Sequence, residues 1–259
     1  MIIPLPPETL LLVIIFLLVA IFTLLHHMRV SSGKQVIYRR PLPALDVMRR
    51  ALDRGAETGR AIHLSPGSGL IGSRTGTAEA VAGLLAAERV ATEAAMNGAP
   101  VLASSGDAVA HLALRGFLRQ AYQRAGVGQD YDPASVQLLA HQDAMAYASG
   151  VTTLYGRQRL EASQMIGSFR EEFLLALEVG AQRGVPQLGG STSGTGVALS
   201  YLVSDSTLIG EEIYAAEAYL ARSPEPSARL LTQDVLRTAV IVAILLLLVL
   251  ALAGVQFTL

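Results

Sequence analysis

Cysteine and tryptophan are absent from the 259 residues, and lysine occurs once, at Lys34. Without cysteine there is no disulfide framework, no thiolate zinc site and no cysteine nucleophile. With its one lysine in the stretch after the first apolar run, the soluble part has neither a Walker-type phosphate lysine nor a Schiff-base lysine. A basic surplus is missing too. Lys and Arg total 20 against 21 Asp and Glu, a net charge of -1, and acids outnumber bases from Ala61 to Arg222. Nucleic acid is therefore set aside as a partner. No GxSxG occurs, so a nucleophile elbow is excluded.

Charge is absent altogether from two stretches, Leu10 to Leu25 and Thr238 to Val255. The first, LLLVIIFLLVAIFTLL, spans roughly 24 Å as a helix, close to the thickness of a bilayer core. Two single membrane anchors are the simplest reading. Arg29, Lys34, Arg39 and Arg40 follow the first run and Arg229 and Arg237 precede the second, while both chain ends are nearly free of positive charge. The positive-inside rule then places the middle of the chain in the cytoplasm and both termini outside, in the inner or plasma membrane. The first run lacks a basic n-region and a small-residue cleavage site, which argues against a cleaved signal peptide. His26 and His27 read as interfacial residues ending the span, because adjacent helical side chains do not face one another as ligands must.

The organisation that follows is residues 1–9 outside, a span over 10–25, a basic connector over 26–60, an α/β domain over 61–222, a linker over 223–237, a span over 238–255 and 256–259 outside. In the connector, Leu45, Met48 and Leu52 recur at helical spacing within Ala44 to Glu57, with Arg49, Arg50 and Arg54 off that stripe. This predicts an amphipathic helix, lying either on the membrane surface or on the domain.

From Ala61 short apolar runs alternate with helical stretches: AIHLS (61–65), VLASS (101–105), VQLLA (136–140), SQMIG (163–167) and PQLGG (186–190). The first leads to an alanine-rich helix over Thr77 to Met96, closed by Asn97 and Gly98. Asp107 is placed to cap a helix running to Ala125 and Asp143 to cap the next, which Gly150 or Gly156 interrupts; Ser168 with Glu171 has capping-box spacing. The pattern predicts an α/β fold: a Rossmann-like, doubly wound parallel sheet of about five strands, flanked by two single transmembrane helices. The runs are apolar throughout, as strands covered on both faces require. After Gly196, Val197 to Val203 reads as strand or helix, Leu208 to Leu220 as helix and SPEPS (223–227) as a stiff linker.

The segments HLSPGSGLIGSRTGTAEAVAGL, PVLASSGD, the YDP turn, SQMIGSFREE and LIGEEIYAAEAYL together resemble an uncharacterised prokaryotic family of membrane proteins. That family is a domain of unknown function in which an α/β domain stands beside hydrophobic segments. The resemblance covers Gly59 to Leu220. It implies the fold and membrane association, and brings no activity, cofactor or catalytic residue.

In an open parallel sheet a ligand lies beyond the carboxyl ends of the strands. The candidates there are Gly67, Ser68, Gly69, Gly72 and Arg74 after the first strand, Ser104 and Asp107 after the second and His141 after the third. Ser168 and Arg170 follow the fourth, and Ser191, Thr192 and Ser193 the fifth. Gly67, Gly69 and Gly72 match GxGxxG literally, but the following helix starts late and no acid stands at the ribose position. Plain turn chemistry is the competing reading. GGSTSGTG (189–196) offers amides and hydroxyls for an anion, with Arg74 or Arg170 as counter-charge, or else a flexible loop or subunit contact. His63 reads as a satisfied core histidine. No metal site, cofactor or catalytic set is expected.

The leading expectation is a non-enzymatic, membrane-anchored scaffold or assembly module that forms homo-oligomers in the bilayer and meets other membrane proteins. Its motives are the two anchors, the missing catalytic set and small residues suited to close packing, including Ala239 and Ala243. A small-ligand or nucleotide sensor is the alternative and a hydrolase the third.

Overall fold

The computed structural model describes residues 7–33, 40–73, 75–220 and 224–252. Two compact units emerge, one formed by both ends of the chain and the other by Arg40–Ala221.

In the first unit, helix α1 (Pro7–Ser31) packs against helix α9 (Pro224–Leu252). Most of the α1 apolar side chains, Phe16 and Leu12 among them, remain exposed. Thr9–Ser31 is the one helix among the described residues long and apolar enough to cross a membrane. The second apolar run extends beyond Leu252, outside the described residues. His26 is buried and its Nδ1 lies 3.3 Å from Thr232 Oγ1, so it joins the two helices rather than standing alone at an interface. The stretch expected to be a stiff linker is helical from Pro224, where α9 begins, because prolines in a first helical turn cost no hydrogen bond; Ser223 lies outside the described residues.

The second unit carries six strands: β1 (Ala61–Gly67), β2 (Val101–Ser105), β3 (Val136–Leu138), β4 (Leu160–Ser168), β5 (Gln187–Ser191) and β6 (Ser206–Ile209). All pair in parallel, in the order β3-β2-β1-β4-β5-β6. The expected five strands are thus six. β6 hides in sequence because Ile209, its last residue, continues the helical spacing of Ile213, Ala216 and Leu220 in helix α8 (Glu212–Leu220). The ambiguous Val197 stretch is helix α7 (Gly194–Val203), whose start is fixed by Ser193 accepting from Gly196 N at 3.0 Å.

Helices α2 (Asp46–Thr58), α3 (Thr77–Asn97), α4 (Ala108–Arg124) and α8 cover one face, and α5 (Ala144–Arg157), α6 (Phe173–Gln182) and α7 the other. Helix α5 is continuous through Gly150. The choice left open for α2 is decided in favour of the domain. Leu45, Met48 and Leu52 enter the core, each burial contributing about 1.5–3 kcal/mol, and Arg54 binds buried Glu161 at 2.6 Å. The alanine-rich α3 spends its small face inside the fold: Ala80, Ala87, Ala91 and Ala94 are fully buried against the sheet and neighbouring helices. That face is unavailable for packing between copies.

The strands are less apolar than their runs suggest. Gln164, wholly buried on β4, has neither amide atom hydrogen-bonded among the described residues. An unsatisfied buried amide costs about 1–3 kcal/mol, so Gln164→Met is expected to raise the urea midpoint of the full chain in mild detergent. A lowered midpoint would mean that the amide has a partner such as an ordered water.

Candidate functional site

In a sheet of this order the switch point falls between β1 and β4, whose following helices α3 and α6 leave to opposite faces. A nucleotide crevice opens there when the two strand ends diverge. Here they do not. β1 and β4 stay paired out to Gly67 opposite Ser168. A Cβ on Gly67 would lie 2.3 Å from the Ser168 carbonyl oxygen, and one on Gly69 2.3 Å from Ser168 Cβ and Oγ. One on Gly76 would meet Ser168 Oγ at 2.5 Å. The glycines that would let a pyrophosphate approach the backbone in a dinucleotide site admit the chain's own Ser168 instead. Ser168 therefore ends a strand and does not cap α6, whose N-cap residue is Glu172.

Polar groups around this closed junction are engaged with one another. Ser68 donates to Glu172 Oε1 at 2.6 Å, and Arg170 N donates to Glu172 Oε2 at 3.2 Å. At the end of β2, buried Asp107 accepts from Ala110 N at 2.9 Å as the cap of α4. His141 Nδ1 stands 3.6 Å from Asp107 Oδ1 and accepts from Ala108 N at 3.3 Å. Beyond β5, Ser191 and Ser193 both donate to the Phe169 carbonyl, at 3.1 and 2.8 Å, and Thr192 donates to Glu79. Burial pushes the Glu79 carboxyl up, against the opposing pull of a Ser168 hydrogen bond and the Arg170 charge. Hydroxyls already donating inward, beside a carboxylate, make a poor anion cradle.

Beneath this edge, between β1, β4 and α5, lies a wholly buried polar network. His63 bonds Ser163 Oγ through Nδ1 and Ser104 Oγ through Nε2, each at 2.8 Å. Tyr155 donates to Ser163 at 2.6 Å, its ring edge-on to His63. Tyr147 bonds Ser65, which accepts from Gly67 N at 3.0 Å. The chain of contacts thus runs from the sheet centre to the first glycine of the closed junction. Burial pushes His63 down to about 3, Tyr147 up to about 12 and Tyr155 up as well, so every member is neutral at pH 7. A general base needs access and a pKa near the working pH. His63 has neither, and its two hydrogen bonds tie β1 to β4 and to β2.

The family described as a domain of unknown function, DUF6754, matches residues 7–259. The chain belongs to the DUF6754 family. No curated protein and no solved structure matches it. The DUF6754 match includes the α1 and α9 helices together with the α/β unit.

In this DUF6754 chain the structure gathers Gly67, Ser68, Gly69, Ser168 and Arg170 at the junction, pairs Asp107 with His141, and sets Ser191, Thr192 and Ser193 on Phe169 and Glu79. Gly72 has open space around it and φ +97°, a turn position. Arg74 lies outside the described residues. Ser104 belongs to the buried network and not to the edge. Glu172, Glu79, Tyr147 and Tyr155 were not singled out from the sequence. Their signal was there in part: Tyr147, Val151 and Tyr155 form a helical stripe, and His63 and Ser65 alternate on one face of β1.

Proposed function

We propose that this chain is a membrane-anchored, non-enzymatic α/β module that assembles with copies of itself in the plane of the membrane. The observation that carries this reading is the closure of the switch point by Ser168, which leaves the Gly67–Gly69 turn against protein and not against a ligand. The apolar α1 helix supports an anchor, and the uncharged second half of α9 supports a second. With arginines beside both and almost none at the chain ends, the α/β unit faces the cytoplasm of the inner or plasma membrane, and both termini lie outside.

Self-association is supported by Ala239 and Ala243, exposed at small-xxx-small spacing on α9. The short edge strand β3 adds exposed Leu138, with Val109 and Leu112 exposed on neighbouring α4. In mild detergent the particle should weigh at least twice the 27.3 kDa chain; a strictly monomeric particle overturns the assembly reading. Nucleotides and anionic metabolites should leave its thermal midpoint unmoved, and a reproducible upward shift with any of them would favour a ligand sensor.

A further inference from the structure

Helices α5, α6 and α7 end side by side, at the edge of the sheet where β4, β5 and β6 begin. Three exposed arginines collect there: Arg157 in the last turn of α5, Arg159 just before β4 and Arg183 after α6. Arg183 reaches across to α5, its Nη2 lying 3.5 Å from where a Cβ on Gly156 would be. None of the three has a salt-bridge partner among the described residues, whereas Arg54, Arg89 and Arg124 each bind a carboxylate at 2.6–3.1 Å. The nearby acids are otherwise occupied: Asp205 accepts from Gln187 N at 2.7 Å and Glu178 from Gln182 at 3.1 Å.

Beside the arginines, the last turn of α7 presents Tyr201 and Leu202, 73% and 77% exposed, the most exposed large apolar side chains of the α/β unit. Cations at helix C-termini are stabilising in any protein, which accounts for Arg157 and Arg183. It does not account for Arg159, nor for two adjacent apolar side chains in water. Arginines that reach lipid phosphates, a tyrosine at headgroup depth and a leucine below it form the composition of a membrane-contacting surface.

We infer that the ends of α5, α6 and α7 form a face that docks on an anionic lipid surface. This rests on the anchored reading above. It is tested with the full chain in nanodiscs of phosphatidylcholine alone and with one quarter phosphatidylglycerol, followed by hydrogen exchange. Peptides covering 155–160, 182–185 and 199–204 should exchange roughly tenfold more slowly in the anionic discs, an effect three arginines near such a surface allow. Combined Arg157→Glu, Arg159→Glu and Arg183→Glu, or 0.5 M salt, should remove that protection while the sheet amides stay protected. Equal exchange in both lipids overturns the inference, as does equal protection in lipid-free detergent, which would assign the face to a protein partner. Failure of the anchored reading is seen separately, as a chain that does not enter the discs.

Discussion

Between pH 6.5 and pH 5 the α/β unit is expected to lose about 2 kcal/mol of folding free energy through His63 alone. The imidazole is fully buried, bonded at both nitrogens to serine hydroxyls, and pushed from 6.5 down to about 3 by burial. In that interval the unfolded chain takes up a proton that the folded chain refuses. Stability is therefore complete above about pH 6.5 and falls at about 1.4 kcal/mol per unit as the pH drops toward 3. His111, also lowered by burial and by Arg115, acts in the same direction. Glu79 and Glu93, raised by burial, act in the opposite direction, gaining stability as they protonate at lower pH. Seven of the eight tyrosines fall within Arg40–Ala221 and there is no tryptophan, so tyrosine fluorescence during urea unfolding of the full chain reports this unit. His63→Gln should be less stable at pH 7 but flatter in its pH dependence. Parallel curves for the two proteins would mean that His63 is not held neutral in the fold.

Gly83→Ala is expected to destabilise by about 3 kcal/mol or more, although alanine ordinarily improves a helix interior by about 1 kcal/mol. Gly83 sits in the middle of α3 where that helix crosses β4 and β1. An added Cβ would lie 1.9 Å from the Ile166 carbonyl oxygen and 3.0 Å from Pro66 Cα. Both are backbone atoms of central strands and have nowhere to go, so α3 would have to lift, unpacking Ala80, Ala87 and Ala91 beneath it. Gly116 supplies the matched control. It lies within α4 with nothing inside 4 Å of its would-be Cβ. Gly116→Ala should stabilise by about 0.5–1 kcal/mol. Urea midpoints of the two variants should move in opposite directions, and a Gly83→Ala protein as stable as the parent would contradict the close packing of α3 on the sheet.

These two sites mark where reading the chain succeeds and where it stops. Alternation of runs and helices was enough for a parallel α/β fold and for five of its six strands, because caps such as Asp107 and Asp143 act locally. β6 escaped because four residues that continue a helical spacing carry no signal of their own. Ser168 escaped for a different reason. Its spacing to Glu171 suits a cap, and only the pairing with Gly67, a hundred residues earlier, turns it into a strand end. The same long-range pairing decides whether Gly67 and Gly69 face a phosphate or a serine, a question that a local glycine pattern leaves open. In α3, small residues signalled close approach correctly; that the approach is to β4 and not to another copy depends on α2 and α8 covering the same face.

Native mass spectrometry of the full chain, extracted from membranes in mild detergent, tests the central claim most directly, because subunit number and bound small molecules are read in one spectrum. The account predicts integer multiples, two or more, of the 27.3 kDa chain with no adduct of nucleotide or metabolite mass. A monomer carrying a stoichiometric small-molecule adduct would contradict it, replacing an assembly module with a ligand-binding one.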